Sequence, residues 1–534
     1  MTDAKNVFQN EPDISWGAAE NQARMQDALA RVRKELGKNY PLIINGESLQ
    51  TGDIFDSLNP SLSSEVVGVM ARASQAQAQK AVEAARKAWP GWRRTPAEKR
   101  AECLFKAAGI MRSRKFELIA WGVFEAGKTW RESEKDVAEA IDFLEFYGRQ
   151  MIILSGERVT EPQIPAETNV SLYIPRGVCL VIGIWNFPWA INTGMIAASI
   201  VAGNTAIFKP ASLTPVIGYK IVKIFEEAGL PAGVLNFVPG PGAEIGEFLV
   251  KHEDVNLIVL TGSYEAGLKI EKLAAEFPNK CGIKKTVLET GGKNAIIVDS
   301  DADIDEAVKG TLASWLGYQG QKCSACSRAI VLKDVYDTFV ERLAEAAKSI
   351  EIGDPQDPGT YMSPLISADA LKKVQSYVEI GKKEARLVLE REAPEELKKK
   401  GYFTGPALFA DVSPTARIAQ EEIFGPVLAC IKVKSFDEAI EVANGTDYAL
   451  TGGVFSRSPS HIEKAKIEFE AGNLYINRHI TGAIVSRQPF GGHRASGTGP
   501  KAGGLDYLRA FMTEKLVCEN VLRRGFAPAD EKSK

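Results

Sequence analysis

A chain of 534 residues exceeds what one hydrophobic core usually serves, so its length predicts a globular protein of two or three domains. With 65 basic against 68 acidic residues the net charge is −3, which gives no field for nucleic acid, and no arginine-rich stripe stands out. Seven cysteines without regular spacing make no disulfide framework and point to a reducing compartment, read as the cytoplasm, with small molecules as the expected partners.

Met1 to Pro12 lacks the basic patch and apolar core of a signal peptide, and residues 1–39 are expected to form an N-terminal arm with helical spacing from 15 to 38. Ile43-Ile-Asn-Gly-Glu-Ser48 places Asn-Gly where a hairpin turn wants it. From Ser74, a candidate N-cap, to Phe146 the pattern is helical, with breaks expected at Pro90-Gly91, Thr95-Pro96 and Gly127. Within it, Gly122-Val-Phe-Glu-Ala-Gly-Lys-Thr129 matches the phosphate-binding G-x-x-x-x-G-K-[ST] pattern. A P-loop follows a buried strand, whereas an amphipathic helix precedes this one, so Gly127 is read as a helix cap.

Residues 151–174 form a polar, alternating stretch, read as a surface hairpin. Gly177 to Phe208 carries no Asp, Glu, Lys or Arg and exceeds the ~20 residues of a membrane span. Asn186, Pro188, Asn192 and Asn204 interrupt it, so a buried strand, loop, helix and strand is expected, with no membrane segment. Strands at Val178–Ile184, Thr205–Lys209, Val234–Val238 and Leu257–Leu260 alternate with helical spacing, the order of a parallel doubly wound sheet.

A second α/β unit begins near Asn294, with helices from Asp303 and Val335 and strands near Ala329, Val427 and Leu474. The expected fold is α/β, with two doubly wound Rossmann-like domains facing each other across a cleft. The tail 523–534 is expected to be disordered.

Chemistry concentrates in Gly317-Tyr-Gln-Gly-Gln-Lys-Cys-Ser-Ala-Cys-Ser-Arg328. A nucleophilic thiolate needs a partly open, electropositive setting, and the loop before Cys323 offers glycines, amides and Lys322. Cys179 and Cys430 sit in apolar runs and read as small hydrophobes. In Val287-Leu-Glu-Thr-Gly-Gly-Lys293 a carboxylate ends a short strand, making Glu289 either a base or a solvated strand-end residue. Four scattered histidines lack ligand spacing, so no metal is expected. The pair Cys323-x-x-Cys326 stands alone, and a thiol redox module remains a third reading.

These segments resemble the NAD(P)-dependent aldehyde dehydrogenases. The resemblance continues in register through Ile184-Trp-Asn-Phe-Pro188, Phe208-Lys-Pro210, Leu260-Thr-Gly-Ser263, Glu421-Glu-Ile-Phe-Gly-Pro426 and Gln488-Pro-Phe-Gly-Gly492, covering about Tyr40 to Leu516. It implies that Cys323 attacks the carbonyl, that Asn186 with the Cys323 N–H holds the oxyanion, and that Glu289 activates the hydrolytic water. For the cofactor it implies Ile184, Trp185, Lys209, Ser212, Gly242, Gly262, Ser263, Glu422 and Phe424. Ser212 stands where many NAD-preferring members have Glu, so NAD is favoured with NADP use allowed.

The implied division gives 40–150 and 175–288 to an NAD-binding domain, 289–487 to a catalytic domain, and 151–174 with 488–522 to oligomerisation and bridging. A homodimer or higher homo-oligomer follows from the likeness of those last segments to interface pieces. Asn477-Arg-His-Ile-Thr-Gly-Ala-Ile-Val485 and the glycine-rich run after it resemble the 1-pyrroline-5-carboxylate (L-glutamate γ-semialdehyde) dehydrogenases within the family. There the resemblance implies that Ser324, Gly482 and Ala483 hold the substrate α-carboxylate, Phe187 and Phe490 flank its stem, and Glu139 faces its ammonium. The implied reaction is oxidation of the semialdehyde to L-glutamate through a thiohemiacetal and thioester, in proline degradation. Another semialdehyde or broad-specificity aldehyde dehydrogenase, and a catalytically silent structural homologue, are the alternatives.

Overall fold

The computed structural model describes residues 7–160, 167–280 and 282–520. The expected tail at 523–534 lies outside the described residues. Residues 7–16 run extended along the surface before helix α1 (Ala19–Arg33), which buries Met25, Ala28, Leu29 and Val32. After β1 (Lys38–Tyr40), β2 (Leu42–Ile44) and β3 (Glu47–Leu49) pair antiparallel around Asn45-Gly46, both with positive φ, as a tight Asn-Gly hairpin requires. Strands β4 (Ile54–Asn59) and β5 (Leu62–Ala71) form an antiparallel pair, with β1 alongside.

Four helices follow: α2 (Gln75–Trp92), α3 (Ala97–Ser113), α4 (Lys115–Ala126) and α5 (Trp130–Leu154). Ser74 caps α2 in a full capping box with Gln77. The expected break at Pro90-Gly91 is absent: α2 continues through Pro90 to Trp92 although the proline has no N–H to give to the preceding turn. Trp92 anchors the last turn, buried and donating Nε1–H to the Ile200 carbonyl at 2.8 Å. The P-loop lookalike lies on α4 with Val123 and Phe124 fully buried, and Gly127 ends that helix at φ +62.

Strands β6 (Arg158–Val159) and β7 (Glu167–Pro175) lead into the first large sheet, built from β8 (Val178–Ile182), β9 (Thr205–Lys209), β10 (Leu235–Phe237), β11 (Val255–Thr261) and β12 (Lys285–Glu289). Its order is β12-β11-β8-β9-β10-β2-β3, parallel from β12 through β10. The helices between them are α6 (Ala190–Val201), α7 (Pro215–Glu227), the single turn α8 (Glu247–Lys251) and α9 (Tyr264–Glu276). Winding goes β8-β9-β10 in one direction and resumes at β11 on the other side of β8, so a crevice opens beyond the carboxyl ends of β8 and β11.

The second large sheet contains β13 (Asn294–Val298), β14 (Cys326–Leu332), β15 (Arg386–Glu390), β16 (Ala407–Ala410) and β17 (Val427–Val433), then β18 (Tyr448–Ala449) outside it, β19 (Thr451–Phe455) and β20 (Asn473–Ile476). Its order is β15-β16-β17-β14-β13-β19-β20, with α10 (Ile304–Leu316) and α11 (Lys333–Lys348) packed on it. β18 pairs instead with β21 (His493–Arg494), and β22 (Met512–Asn520) runs along β7 to make a three-stranded sheet with β6. Two apolar cores cover the faces of each large sheet. Cys179 and Cys430 are fully buried among them.

Candidate active site

The Cys323 loop is held from several sides before its chemistry begins. Tyr318 and Gln319 take left-handed φ values of 49° and 55°, a conformation that non-glycine residues adopt only when surroundings impose it. Those surroundings are explicit: Tyr318 Oη donates to the Ala126 carbonyl at 2.6 Å, and Gln321 Oε1 accepts the Ile366 N–H at 3.0 Å. Asn294, at the start of β13, donates from Nδ2 to the carbonyls of Cys323 and Ala325 at 2.7 and 2.8 Å. Its Oδ1 accepts the Thr451 N–H at 2.9 Å. Gly292 lies so close that a Cβ there would sit 2.6 Å from the Cys323 carbonyl oxygen. Sequence reading missed Asn294; an Asn opening a buried strand was the available signal.

Cys323 lines an open pocket, with room inside of about 90 Å³, together with Glu289, Ser324, Gly482, Ala483, Phe187, Phe490 and Glu139. Residues as far apart in the sequence as Glu139 and Phe490 thus meet in one place. Phe143, Tyr147, Ile191, Met195 and Tyr507 complete an apolar wall that the sequence did not single out. Gly482 bends the facing loop at φ +72, turning the backbone of Gly482-Ala483 in a way other residues adopt only at a cost. Asn186 is buried, donating Nδ2–H to the Gln321 carbonyl at 3.0 Å, so the Trp-Asn-Phe-Pro turn abuts the nucleophile loop.

Electrostatics correct one expectation. Lys322 does not face the thiol; it pairs with Glu132 at 2.8 Å. Burial, then the nearby carboxyls of Glu422 and Glu289, push the Cys323 thiol up to about 12 in the ligand-free protein. Burial likewise holds the Glu289 carboxyl well above the usual range; the Gly492 N–H and the Lys501 ammonium oppose that only weakly, and among the described residues its oxygens have no hydrogen-bond partner. Glu139 is pushed up to about 8 by burial and by the neighbouring Asp136 and Asp142 carboxylates. Cys326 lies outside this pocket's lining, buried in the second sheet's core with its thiol directed at the Arg328 carbonyl at 3.4 Å.

Several carbonyls and charges hold the rest. Arg328 gives its guanidinium to the carbonyls of Lys293, Val442 and Ala443 at 2.8 to 3.0 Å, fixing β14 to its neighbours. Lys128 and Asp136 form a fully buried ion pair at 3.0 Å; Asp136 also accepts the Ala190 N–H at 2.8 Å at the start of α6, and the Lys128 ammonium sits 4.0 Å over the Phe187 ring. Among the described residues no group of three His, Cys, Asp or Glu is arranged to hold a metal ion.

At the crevice beyond β8 and β11, Ile184 and Trp185 follow β8, Lys209 ends β9, and Gly262 and Ser263 follow β11. Ser263 caps α9, whose N-terminus suits an anion. The Lys209 ammonium is buried, among the described residues with only the Pro210 and Gly240 carbonyls as acceptors, at 3.0 and 3.3 Å, and burial lowers it to about 8. A buried cation without a carboxylate partner, open space over Gly242 and an uncovered helix N-terminus fit a dinucleotide. Ser212 is exposed just past β9. From the second sheet, Glu422 accepts the Gly292 N–H at 2.8 Å, and Phe424 meets Trp185 edge-on at 5.4 Å across the cleft.

Residues 46–517 match the model of the aldehyde dehydrogenase family. The chain is 50% identical over 513 residues to a 1-pyrroline-5-carboxylate dehydrogenase of Geobacillus kaustophilus, covering 96% of this chain and 99% of the relative. A structure of 1-pyrroline-5-carboxylate dehydrogenase from Thermus with bound NAD superposes with a TM-score of 0.94 at 49% identity, covering 97% of this chain and all of that one. Proline utilization A from Bdellovibrio bacteriovorus superposes with a TM-score of 0.96 at 45% identity; the match covers 99% of this chain but 55% of that longer one. The chain belongs to the aldehyde dehydrogenase family.

Proposed function

We propose that the chain oxidises L-glutamate γ-semialdehyde, the open form of 1-pyrroline-5-carboxylate, to L-glutamate with NAD. The observation that carries this reading is the pocket itself, where Cys323, Ser324, the Gly482-Ala483 turn, Glu289 and Glu139 surround one apolar slot. The relatives named 1-pyrroline-5-carboxylate dehydrogenase, one with bound NAD, support it.

In this reading the Cys323 thiol gives its proton to solvent in the open pocket as its sulfur adds to the aldehyde carbon, and the resulting oxyanion is received by Asn186 Nδ2 and the Cys323 N–H, each worth about 3 kcal/mol of barrier. When bound, the dinucleotide supplies the two-electron acceptor that turns the thiohemiacetal into a thioester. Glu289, once ionised, takes the proton of a water that attacks the thioester, and the Cys323 thiolate leaves as L-glutamate forms. Backbone N–H groups at Gly482 and Ala483 with the Ser324 hydroxyl suit an α-carboxylate, Phe187 and Phe490 suit a short aliphatic stem, and Glu139 an ammonium. Lys209, Ser212, Gly242, Gly262, Ser263, Ile184 and Trp185 would hold the dinucleotide, with Glu422 and Phe424 on its nicotinamide side. NADP use is allowed by Ser212, which carries no charge to repel a 2′-phosphate.

The first large sheet would then serve as the NAD-binding domain and the second as the catalytic domain. A homodimer is the proposed minimal assembly and the cytoplasm the proposed compartment; among the described residues no helix is long and apolar enough to cross a membrane. NADH formation from glutamate γ-semialdehyde, propanal and succinic semialdehyde tests the function. A kcat/KM for glutamate γ-semialdehyde at least tenfold above the other two supports the reading; equal or reversed values contradict it.

A further inference from the structure

Residues 8–16 precede the stretch matched by the family model and form no helix or strand, yet they are fastened in detail. Phe8 packs edge-on against Phe146 of α5 at 5.2 Å. The Glu11 N–H donates to Asp142 Oδ1 at 2.6 Å, and the Ile14 N–H and the Trp16 indole both donate to Glu134. Lys115 receives this strap from the other side, bonding the Pro12 carbonyl at 2.9 Å, while Arg112 holds Glu11 at 2.8 Å. The strap therefore lies along one face of α5. The adjoining face supplies Glu139, Phe143 and Tyr147 to the pocket.

Asn10 is the point where the strap touches the substrate side. Its Nδ2 uses both hydrogens, one on Asp142 Oδ2 at 2.8 Å and one on the Val485 carbonyl at 3.0 Å. Val485 stands two residues beyond the Gly482-Ala483 turn. The flanks of this turn are tied elsewhere, Ile480 N–H to Ser314 Oγ at 3.0 Å and Ser486 N–H to the Gly503 carbonyl at 2.9 Å. Gly503 is itself held by the Tyr147 hydroxyl at 2.8 Å. Asn10 thus joins α5, which carries Glu139, to the loop that carries the Gly482 and Ala483 amides.

We propose that Asn10 is a positioning residue for substrate selection: the strap at 8–16 fixes the spacing between α5 and the Gly482-Ala483 turn, and so favours an aldehyde bearing an α-amino acid group. The inference rests on the functional reading above. It acts on the grip of the remote carboxylate and ammonium and leaves the Cys323 carbonyl chemistry to other residues.

The test compares full-length wild type and Asn10→Ala on glutamate γ-semialdehyde and on propanal, which lacks the amino acid group. NAD affinity serves as the control for folding. The expected result is a fall of about fivefold in the ratio of the two kcat/KM values, the size of one lost hydrogen bond, carried by KM for the semialdehyde. Amide hydrogen exchange at Gly482 and Ala483 should quicken in the variant. An unchanged ratio together with unchanged exchange overturns the proposal. A wild type without preference for the semialdehyde would instead overturn the functional reading, and the exchange measurement alone would then decide whether Asn10 fixes the turn.

Discussion

Cys323 has carboxyls for neighbours, and its reactivity should report them. Because burial first, and then the Glu422 and Glu289 carboxyls, disfavour the thiolate, a group pushed up to about 12 alkylates slowly at neutral pH, and its rate should climb with pH without a plateau below about pH 10. Replacing Glu422 by Gln removes one such charge, lowers the thiol pKa and should speed iodoacetamide labelling of Cys323 at a fixed pH severalfold; slower labelling would reverse the electrostatic account. The nucleophile, base and oxyanion donor were legible because each sits in a short fixed motif. The orientation of Lys322 was not, since its partner Glu132 lies 190 residues away in sequence. Nor did the residue types of Tyr318 and Gln319 announce left-handed backbone, which is imposed by bonds from other segments.

Among the elements, α5 does the joining. It presents Glu139, Phe143 and Tyr147 to the pocket and Asp136 to the start of α6, immediately after the turn that bears Asn186 and Phe187. Lys128→Met would leave Asp136 buried without its cation, and unfolding in denaturant should show a loss of about 3–5 kcal/mol, the usual cost of orphaning one member of a buried pair. A loss under about 1 kcal/mol would show that Asp136 needs no cation there. The strands β8, β9 and β14 were readable because each holds a run of at least three apolar residues, and Ser74 because its capping box is local. The persistence of α2 through Pro90 was not, because it depends on Trp92 reaching the Ile200 carbonyl, a contact between distant segments.

At the scale of the whole molecule, two α/β sheets close around one crevice, while the three-stranded sheet β6-β7-β22 exposes Ile153 beside it and Val159 and Leu516 on its own strands. A small sheet with exposed apolar residues and free edges is a surface that association would cover. Light scattering should therefore give a mass at least twice that of the chain, and Leu516→Asp should shift it toward the monomer; a monomeric wild type would refute the assembly proposed here. Alternation of strands and helices disclosed both units in the sequence, whereas the meeting of Glu139, Glu289, Cys323 and Gly482 needed the fold, because no local pattern records which loops face one another. The central claim is that Cys323 carries the acyl group during turnover and Glu289 releases it. Intact and peptide mass spectrometry of Glu289→Gln after mixing with glutamate γ-semialdehyde and NAD measures this directly. The account predicts a glutamyl adduct on the peptide containing Cys323, formed with one equivalent of NADH and then persisting. NADH produced with Cys323 unmodified, or an adduct on another residue, would contradict it.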